Sequence, residues 1–247
     1  MQPRIHFPSL SLGNNQLDPE SSHHLAVVLR AKAGERVVLF DGTGREGLGV
    51  IRVSDRSEVC VEIESIAQVN RESPVDITVV QALCTGDKMD WVVQKSTELG
   101  ASQIVPLAAA RSLLKLDGPR AEKRIAHWQA IAESASAQSG RTRVPQVTSI
   151  QSLQNVLDGW VNARSKMGPD KISGWLLDPF AKEQLSKVPL TSSVTLLIGP
   201  ESGWTDDEET LAKRAGFIGL RAGPRILRTE TAALAVLAAV ATRSQEF

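Results

Sequence analysis

Cysteine is scarce in this chain of 247 residues: there are two, Cys60 and Cys84, far apart and without metal-ligand spacing. No metal is expected, and a reduced, cytoplasmic setting is the simplest reading. Long apolar runs are missing as well. None approaches membrane-spanning length, and Met1-Gln2-Pro3-Arg4-Ile5-His6 lacks the hydrophobic core of a signal peptide, so no membrane partner is expected. Neither charge sign dominates: 28 basic residues face 28 acidic ones. That balance argues against a strong general nucleic-acid binder. Low-complexity tracts and internal repeats are absent. No G-x-G-x-x-G follows a predicted strand, which disfavours a nicotinamide dehydrogenase, and no G-x-x-x-x-G-K-[ST] occurs, which disfavours a P-loop enzyme.

What is present is ordinary in bulk: 42% hydrophobic and 23% charged residues, enough chain for one large domain or two smaller ones. Residues 1–70 read as short strands with glycine turns. Val37-Val38-Leu39-Phe40 leads into Asp41-Gly42-Thr43-Gly44, and Val59, Val61 and Ile63 alternate with Glu58, Glu62 and Glu64. This pattern suggests a small β-barrel. Ser22 to Arg30 reads as a short helix. Its neighbours His23 and His24 point about 100° apart and have no Cys/His cluster beside them, so capping or surface roles are preferred to metal ligation. The polar stretch Gln68 to Pro74 reads as a linker.

From residue 74 to 247 the pattern becomes α/β. Val75 to Leu83 is a strand, Asp87 a candidate N-cap, and a helix with apolar Met89, Val92, Val93 and Leu99 runs to Gly100. Ser102 to Leu107 completes a βαβ unit, hence a parallel sheet. Another helix starts near Pro119, carries Ile125, Trp128, Ile131, Ala132 and Ala135, and ends at Gly140. Residues 158–173 read as a connection, and Trp175-Leu176-Leu177 as a strand ending at Asp178-Pro179.

The chain is organised around its last 50 or so residues. Val194 to Ile198 is a buried strand that runs into Gly199-Pro200-Glu201-Ser202-Gly203, where the glycines allow unusual backbone angles. Thr205 and Glu208 form a capping box for a helix starting near Asp206. Phe217 to Leu220 is a strand, followed by Gly223-Pro224-Arg225-Ile226-Leu227-Arg228-Thr229-Glu230-Thr231-Ala232. Thr229 is a candidate cap for a helix running to about Thr242, and Glu230 suits its dipole. That helix is apolar on nearly every side, so it is expected to be buried on all of them, by the sheet on one side and by something else, a second subunit for example, on the other. Both bends lie at the carboxyl ends of strands, where open α/β sheets bind ligands.

Charge is local rather than global. Thr210 to Thr229 holds five basic residues and no acidic one, and Arg111 to Arg143 holds seven basic against three acidic. Each patch suits a phosphate backbone, although charge runs are more often solvated faces.

Gly199-Pro200-Glu201-x-Gly203 with Gly223-x-Arg225-Ile226-Leu227-Arg228-x-Glu230-Thr231-Ala232 resembles the SPOUT methyltransferases, and within them the RsmE type. Lys88-Met89-Asp90, Gln94 to Gly100 and Gln138-Ser139-Gly140-Arg141-Thr142-Arg143-Val144-Pro145 extend the resemblance along the chain. The resemblance implies a PUA-like RNA-binding β-barrel over 1–70. It also implies a C-terminal SPOUT domain over 74–247, a parallel sheet with helices on both faces, tied in a trefoil knot and homodimeric. The implied cofactor is S-adenosylmethionine. It would be held by Leu177, Leu197, Ile198, Gly199, Pro200, Glu201, Gly203, Leu220, Gly223, Ile226, Leu227, Thr231 and Ala232. Candidate contacts to ribosomal RNA or the small ribosomal subunit are Arg4, Arg30, Arg45, Lys88, Lys95, Arg111, Lys115, Arg141, Arg143 and Arg225. Lys95 and Glu98 also read as an ordinary i, i+3 pair. The chain departs from the pattern at Asp178, where relatives often have His, and at Ser202 and Trp204, where they often have Gly and Phe.

The implied reaction is methylation at N3 of a uridine in small-subunit rRNA. It needs removal of the N3 proton, alignment with the methyl donor and stabilisation of a uracil anion. Arg228 is the first candidate for the last task. Glu230 is a candidate base, but a helix N-terminus favours its carboxylate and makes it a weak one, so a capping role ranks above it. Two other readings remain open: an enzyme of this fold acting on another rRNA or tRNA nucleotide, and a non-catalytic RNA-binding or assembly protein.

Overall fold

The computed structural model describes residues 2–55 and 58–246. Two compact units result, Met1–Glu72 with Glu133–Val144, and Ser73–Ala132 with Pro145–Phe247.

The first unit contains β1 (Arg4–His6), β2 (Gly13–Gln16), α1 (Pro19–His23), β3 (Arg36–Phe40), β4 (Arg45–Ser54) and β5 (Val59–Gln68). Asp18 caps α1 through Ser21 N–H, and a π-helical turn over His24–Val28 continues it. The helix expected over 22–30 is therefore a five-residue α-helix followed by that wider turn. The sheet order is β1-β3-β4-β5-β2. Only β1–β3 is parallel, and register shifts in β4 at Leu48/Gly49 and Ile51/Val53 bend the ribbon. The alternation in β5 sends Val59, Val61 and Ile63 into a core with Leu25, Val37, Leu39 and Ile51. Residues 133–144, read from sequence as part of the C-terminal domain, cluster here. The reason is hydrogen bonding. Arg4 and Arg71 donate to the Gly140 carbonyl, Thr142 to the Val69 carbonyl at 2.6 Å, and Arg141 pairs with Glu72.

The second unit is a parallel sheet built from β6 (Asp76–Ala82), β7 (Gln103–Ala108), β8 (Gln146–Val147), β9 (Gln151–Ser152), β10 (Ile172–Leu177), β11 (Glu183–Gln184), β12 (Ser193–Ile198) and β13 (Ile218–Arg221). The order is β11-β13-β10-β12-β6-β7-β8, with β9 also on β7. Its helices are α2 (Lys88–Glu98), α4 (Leu153–Met167), α5 (Asp206–Arg214) and α6 (Thr229–Arg243), with α3 (Gly118–Ser139) as far as Ala132. Every residue of β12 is buried, as its continuous apolar run requires for a central parallel strand. On one face, Val80, Ala82, Leu176 and Leu197 pack with Leu157 and Trp160 of α4 and Ala212 of α5. On the other, Gln81 reaches Thr229 at the start of α6.

Helix α4 replaces the connection expected over residues 158–173. Ser152 caps it through Asn155 N–H, and Leu153, Leu157 and Trp160 form its buried stripe. That i, i+4, i+7 spacing outweighs Gly159, because burying an apolar stripe is worth more than the roughly 1 kcal/mol a mid-helix glycine costs. At α5 the capping box forms as its sequence requires: Thr205 accepts from Glu208 N–H, and Glu208 accepts from Thr205 N–H. Helix α6 is buried along Ala232, Ala233, Val236, Leu237 and Val240, while Leu234, Ala235, Ala238 and Ala239 stay half-buried in the single chain.

Candidate active site

Three strands end side by side. β10 pairs in parallel with β12 on one side and β13 on the other. The loops after Leu177, Ile198 and Arg221 therefore leave the sheet at the same end, where a cavity of about 610 Å³ opens.

The loop after β12 forms its floor. Gly203 has φ +72°, and its N–H donates to the Pro200 carbonyl at 2.9 Å, closing a tight turn. Gly199 serves a different purpose from the one expected. Its φ is not positive, but a Cβ there would lie 3.1 Å from Trp204 Nε1. The buried Trp204 ring covers Gly199, and its Nε1–H donates to the Leu177 carbonyl at 3.3 Å. Arg111, a candidate for RNA contact, donates to the Trp204 carbonyl at 2.9 Å and to the Ser202 carbonyl at 3.4 Å. It lines the cavity while holding this loop in shape.

Glu201 is fastened to the start of α2. Its Oε1 accepts from Lys88 Nζ at 2.8 Å and from Thr85 N–H at 3.2 Å. Burial works against its charge, but the Lys88 hydrogen bond, its own N–H and that of Thr85 hold the carboxyl below its ordinary value. The bond to Glu201 in turn raises Lys88. Burial, with the Glu201 charge adding to it, pushes the Cys84 thiol up to about 12, so it stays protonated at neutral pH and offers no thiolate nucleophile.

The loop after β13 meets the first loop at Thr229. Its hydroxyl donates to the Gly199 carbonyl at 2.6 Å and accepts from Gln81 Nε2 at 2.8 Å. Thr229 is thus not the N-cap. Arg228 occupies that position, and no side chain caps α6. The Arg228 carbonyl accepts the first bonds within the helix, from Thr231 and Ala232 N–H. Arg225, Ile226, Leu227 and Arg228 line the cavity, and Glu230 joins them with its Oε2 buried and without a hydrogen-bond partner.

Most residues expected around the cofactor therefore come together here: Leu177, Ile198, Gly199, Pro200, Glu201, Gly203, Leu220, Ile226, Leu227 and Ala232 all line the cavity. Three do not. Leu197 points to the opposite face of the sheet, into the α4 and α5 core. Gly223 lines a separate 440 Å³ hollow beside Ala239 and Arg243. Thr231 is exposed on α6 outside the cavity. Of the cations, Lys88, Arg111 and Arg225 line it. Lys95 pairs with Glu98 at 2.7 Å and lies over the Trp91 ring. In the first unit Arg4 pairs with Glu46 and Arg141 with Glu72. Arg45 pairs with Asp41 there. Arg30, Lys115 and Arg143 are exposed. Sequence reasoning passed over Phe180, whose only signal was a large aromatic just after Asp178-Pro179, in a turn that would ordinarily be polar.

Comparison with known proteins fits this geometry. Residues 71–241 match the RNA methyltransferase domain family, and residues 17–64 the RNA methyltransferase PUA domain. The chain is 35% identical to ribosomal RNA small subunit methyltransferase E of Bacillus subtilis, covering 92% of this chain and 89% of that one. A structure of ribosomal RNA small subunit methyltransferase E from Neisseria gonorrhoeae, bound to S-adenosyl methionine, superimposes with a TM-score of 0.87 at 36% identity over 98% of both chains. A Legionella pneumophila structure in complex with SAM gives 0.90 at 34% over 98% of both. The fold and the matched domains define the class, an RNA methyltransferase. Within that class, the chain belongs to the ribosomal RNA small subunit methyltransferase E family.

Proposed function

We propose that this protein transfers a methyl group from S-adenosylmethionine to N3 of a uridine in 16S rRNA of the small ribosomal subunit. The observation that carries the reading is the joining of the two bends by Thr229 and Gly199 around one cavity. The residues present fit the cofactor. The cavity falls within the size range of small-molecule sites. Its wall holds the buried, unpartnered Glu230 carboxylate oxygen, which suits a cationic ligand.

When bound, S-adenosylmethionine supplies an electrophilic methyl group on sulfur. The chain's part is to grip and orient. Main-chain groups around Ile198, Gly199, Leu220 and Leu227 hold the ligand, and the Glu201–Lys88 pair fixes the loop. Arg228, which lines the cavity, is our candidate for stabilising negative charge that develops on uracil O2 or O4. Glu230 Oε2 is our candidate acceptor for the N3 proton, since no cap or partner occupies it.

The first unit, with its PUA match, serves RNA binding, and the second carries the transfer. The knot that the family resemblance implies would lie where the chain passes from β12 through α5 to β13, across β10. The half-buried apolar side of α6 supports a homodimer through this domain. No described helix is long and apolar enough to cross a membrane, and the ribosomal substrate proposed here supports a cytoplasmic location. The test is nucleoside mass spectrometry of small subunits incubated with protein and cofactor. 3-Methyluridine is expected. A different methylated nucleoside would move the activity to another target, and no methylation together with no cofactor binding would leave an RNA-binding scaffold.

A further inference from the structure

Phe180 is 82% exposed and Ile226 71% exposed, and both line the cavity. Large apolar side chains in water are unfavourable, so two at one cavity mouth suggest a ligand surface. Phe180 is also held in place. Asp178 N–H donates to the Leu220 carbonyl at 3.0 Å, Asp178 Oδ1 accepts from Phe180 N–H at 2.8 Å, and Ala181 N–H donates to the Asp178 carbonyl at 3.2 Å. Strand β11 then pairs with β13 from Glu183 onward. A four-residue turn, tied to β13 at both ends, thus presents an aromatic ring to solvent. Ile226 stands on the loop after β13, the strand adjacent to β10.

We infer that Phe180 stacks on the target base at the cavity mouth, with Ile226 as a second apolar contact. The inference rests on the methyl-transfer reading above. A base must leave its own stack before an enzyme can reach a ring atom, and an aromatic side chain replaces the lost stacking. Uracil offers a flat neutral face and polar edges. Apolar side chains suit the face, while Arg225 and Arg228, which line the same cavity, suit the edges and the flanking phosphate. The adenine of the cofactor is the other planar ring available to Phe180.

The test compares the wild type with Phe180→Ala, Phe180→Leu and Phe180→Trp. The measurements are calorimetric affinity for S-adenosylmethionine and kcat/KM for methylation of small subunits. Stacking on the base predicts an unchanged cofactor affinity in all three. It predicts a loss in kcat/KM of roughly tenfold to a hundredfold for Ala and Leu, carried mainly by KM, and recovery in Trp. Phe180→Ala that weakens cofactor binding as much as it lowers kcat/KM would assign the ring to adenine and overturn the inference. Unchanged kcat/KM in an active series would overturn it too, while leaving the methyl-transfer reading intact. A wild type that transfers no methyl group would remove both.

Discussion

The Thr229 hydroxyl donates to the Gly199 carbonyl at 2.6 Å, so one side chain fastens the second bend to the first. The same oxygen accepts from buried Gln81, which anchors the joint in β6. Thr229→Val removes the partner of both groups. Leaving buried polar groups unpaired costs about 1–3 kcal/mol. Thermal melting is expected to fall and cofactor affinity to weaken, with Thr229→Ser close to wild type in both. Equal melting and affinity in the Val variant would show that the bends are held together by other contacts.

Gly199→Ala tests the Trp204 lid. The added methyl would sit 3.1–3.3 Å from three atoms of the indole ring, so ring or loop must shift. Weaker cofactor binding with unchanged far-UV circular dichroism is expected. Trp204 is buried in the core, so Trp204→Ala should lose about 3–5 kcal/mol of stability, read by urea denaturation. A loss below about 1 kcal/mol would contradict this packing.

The Glu201–Lys88 latch gives a pH prediction. Glu201 lies below its usual 4.5, so its contribution is present above that value and is lost as pH falls through the folded value. Lys88 lies above 10.5, so its contribution is present below that value and is lost as pH rises through the folded one. Between these limits the latch keeps its charge. Cofactor affinity measured by calorimetry at about pH 6, 7 and 8 should therefore not vary through this pair. Glu201→Gln should weaken it at all three. An affinity insensitive to that substitution would take the latch out of the account.

Asp41 makes a second titration visible in the first unit. Burial opposes its charge, yet bonds from Thr43 and Arg45 lower it from 3.8 to about 2. Its stabilisation, about 2 kcal/mol by linkage, holds above the ordinary value and is lost as pH falls toward 2. Asp41→Asn should flatten acid unfolding between about pH 4 and 2, followed by circular dichroism. The same acid slope in both proteins would contradict the assignment.

Arg228→Ala separates chemistry from binding. If Arg228 stabilises the uracil anion, kcat should fall about a hundredfold or more while cofactor affinity stays within about twofold. An unchanged turnover would remove Arg228 from the mechanism.

Local signals in the sequence carried a good part of this. The Thr205–Glu208 capping box and the turn closed at Gly203 rest on contacts only a few residues apart, and the burial of β12 shows in its continuous apolar run. Helix α4 was legible in Leu153, Leu157 and Trp160 but hidden by Gly159 and polar neighbours. Contacts between distant residues were not legible. Thr229 reads as a cap because its partner Gly199 is 30 positions away. Closer in sequence, Gly199 reads as a flexible turn because the residue types between it and Trp204 do not show that the loop folds the indole back over it. The pairing of Arg141 with Glu72, which spans 69 positions, leaves no local trace in the sequence.

The most direct measurement is the electron density of crystals grown with S-adenosylhomocysteine, the product form of the cofactor. Density lying between residues 199–203 and 225–228, with Glu230 beside it, is the predicted result. An ordered ligand bound anywhere else on the protein, with that space filled only by solvent, would contradict the account.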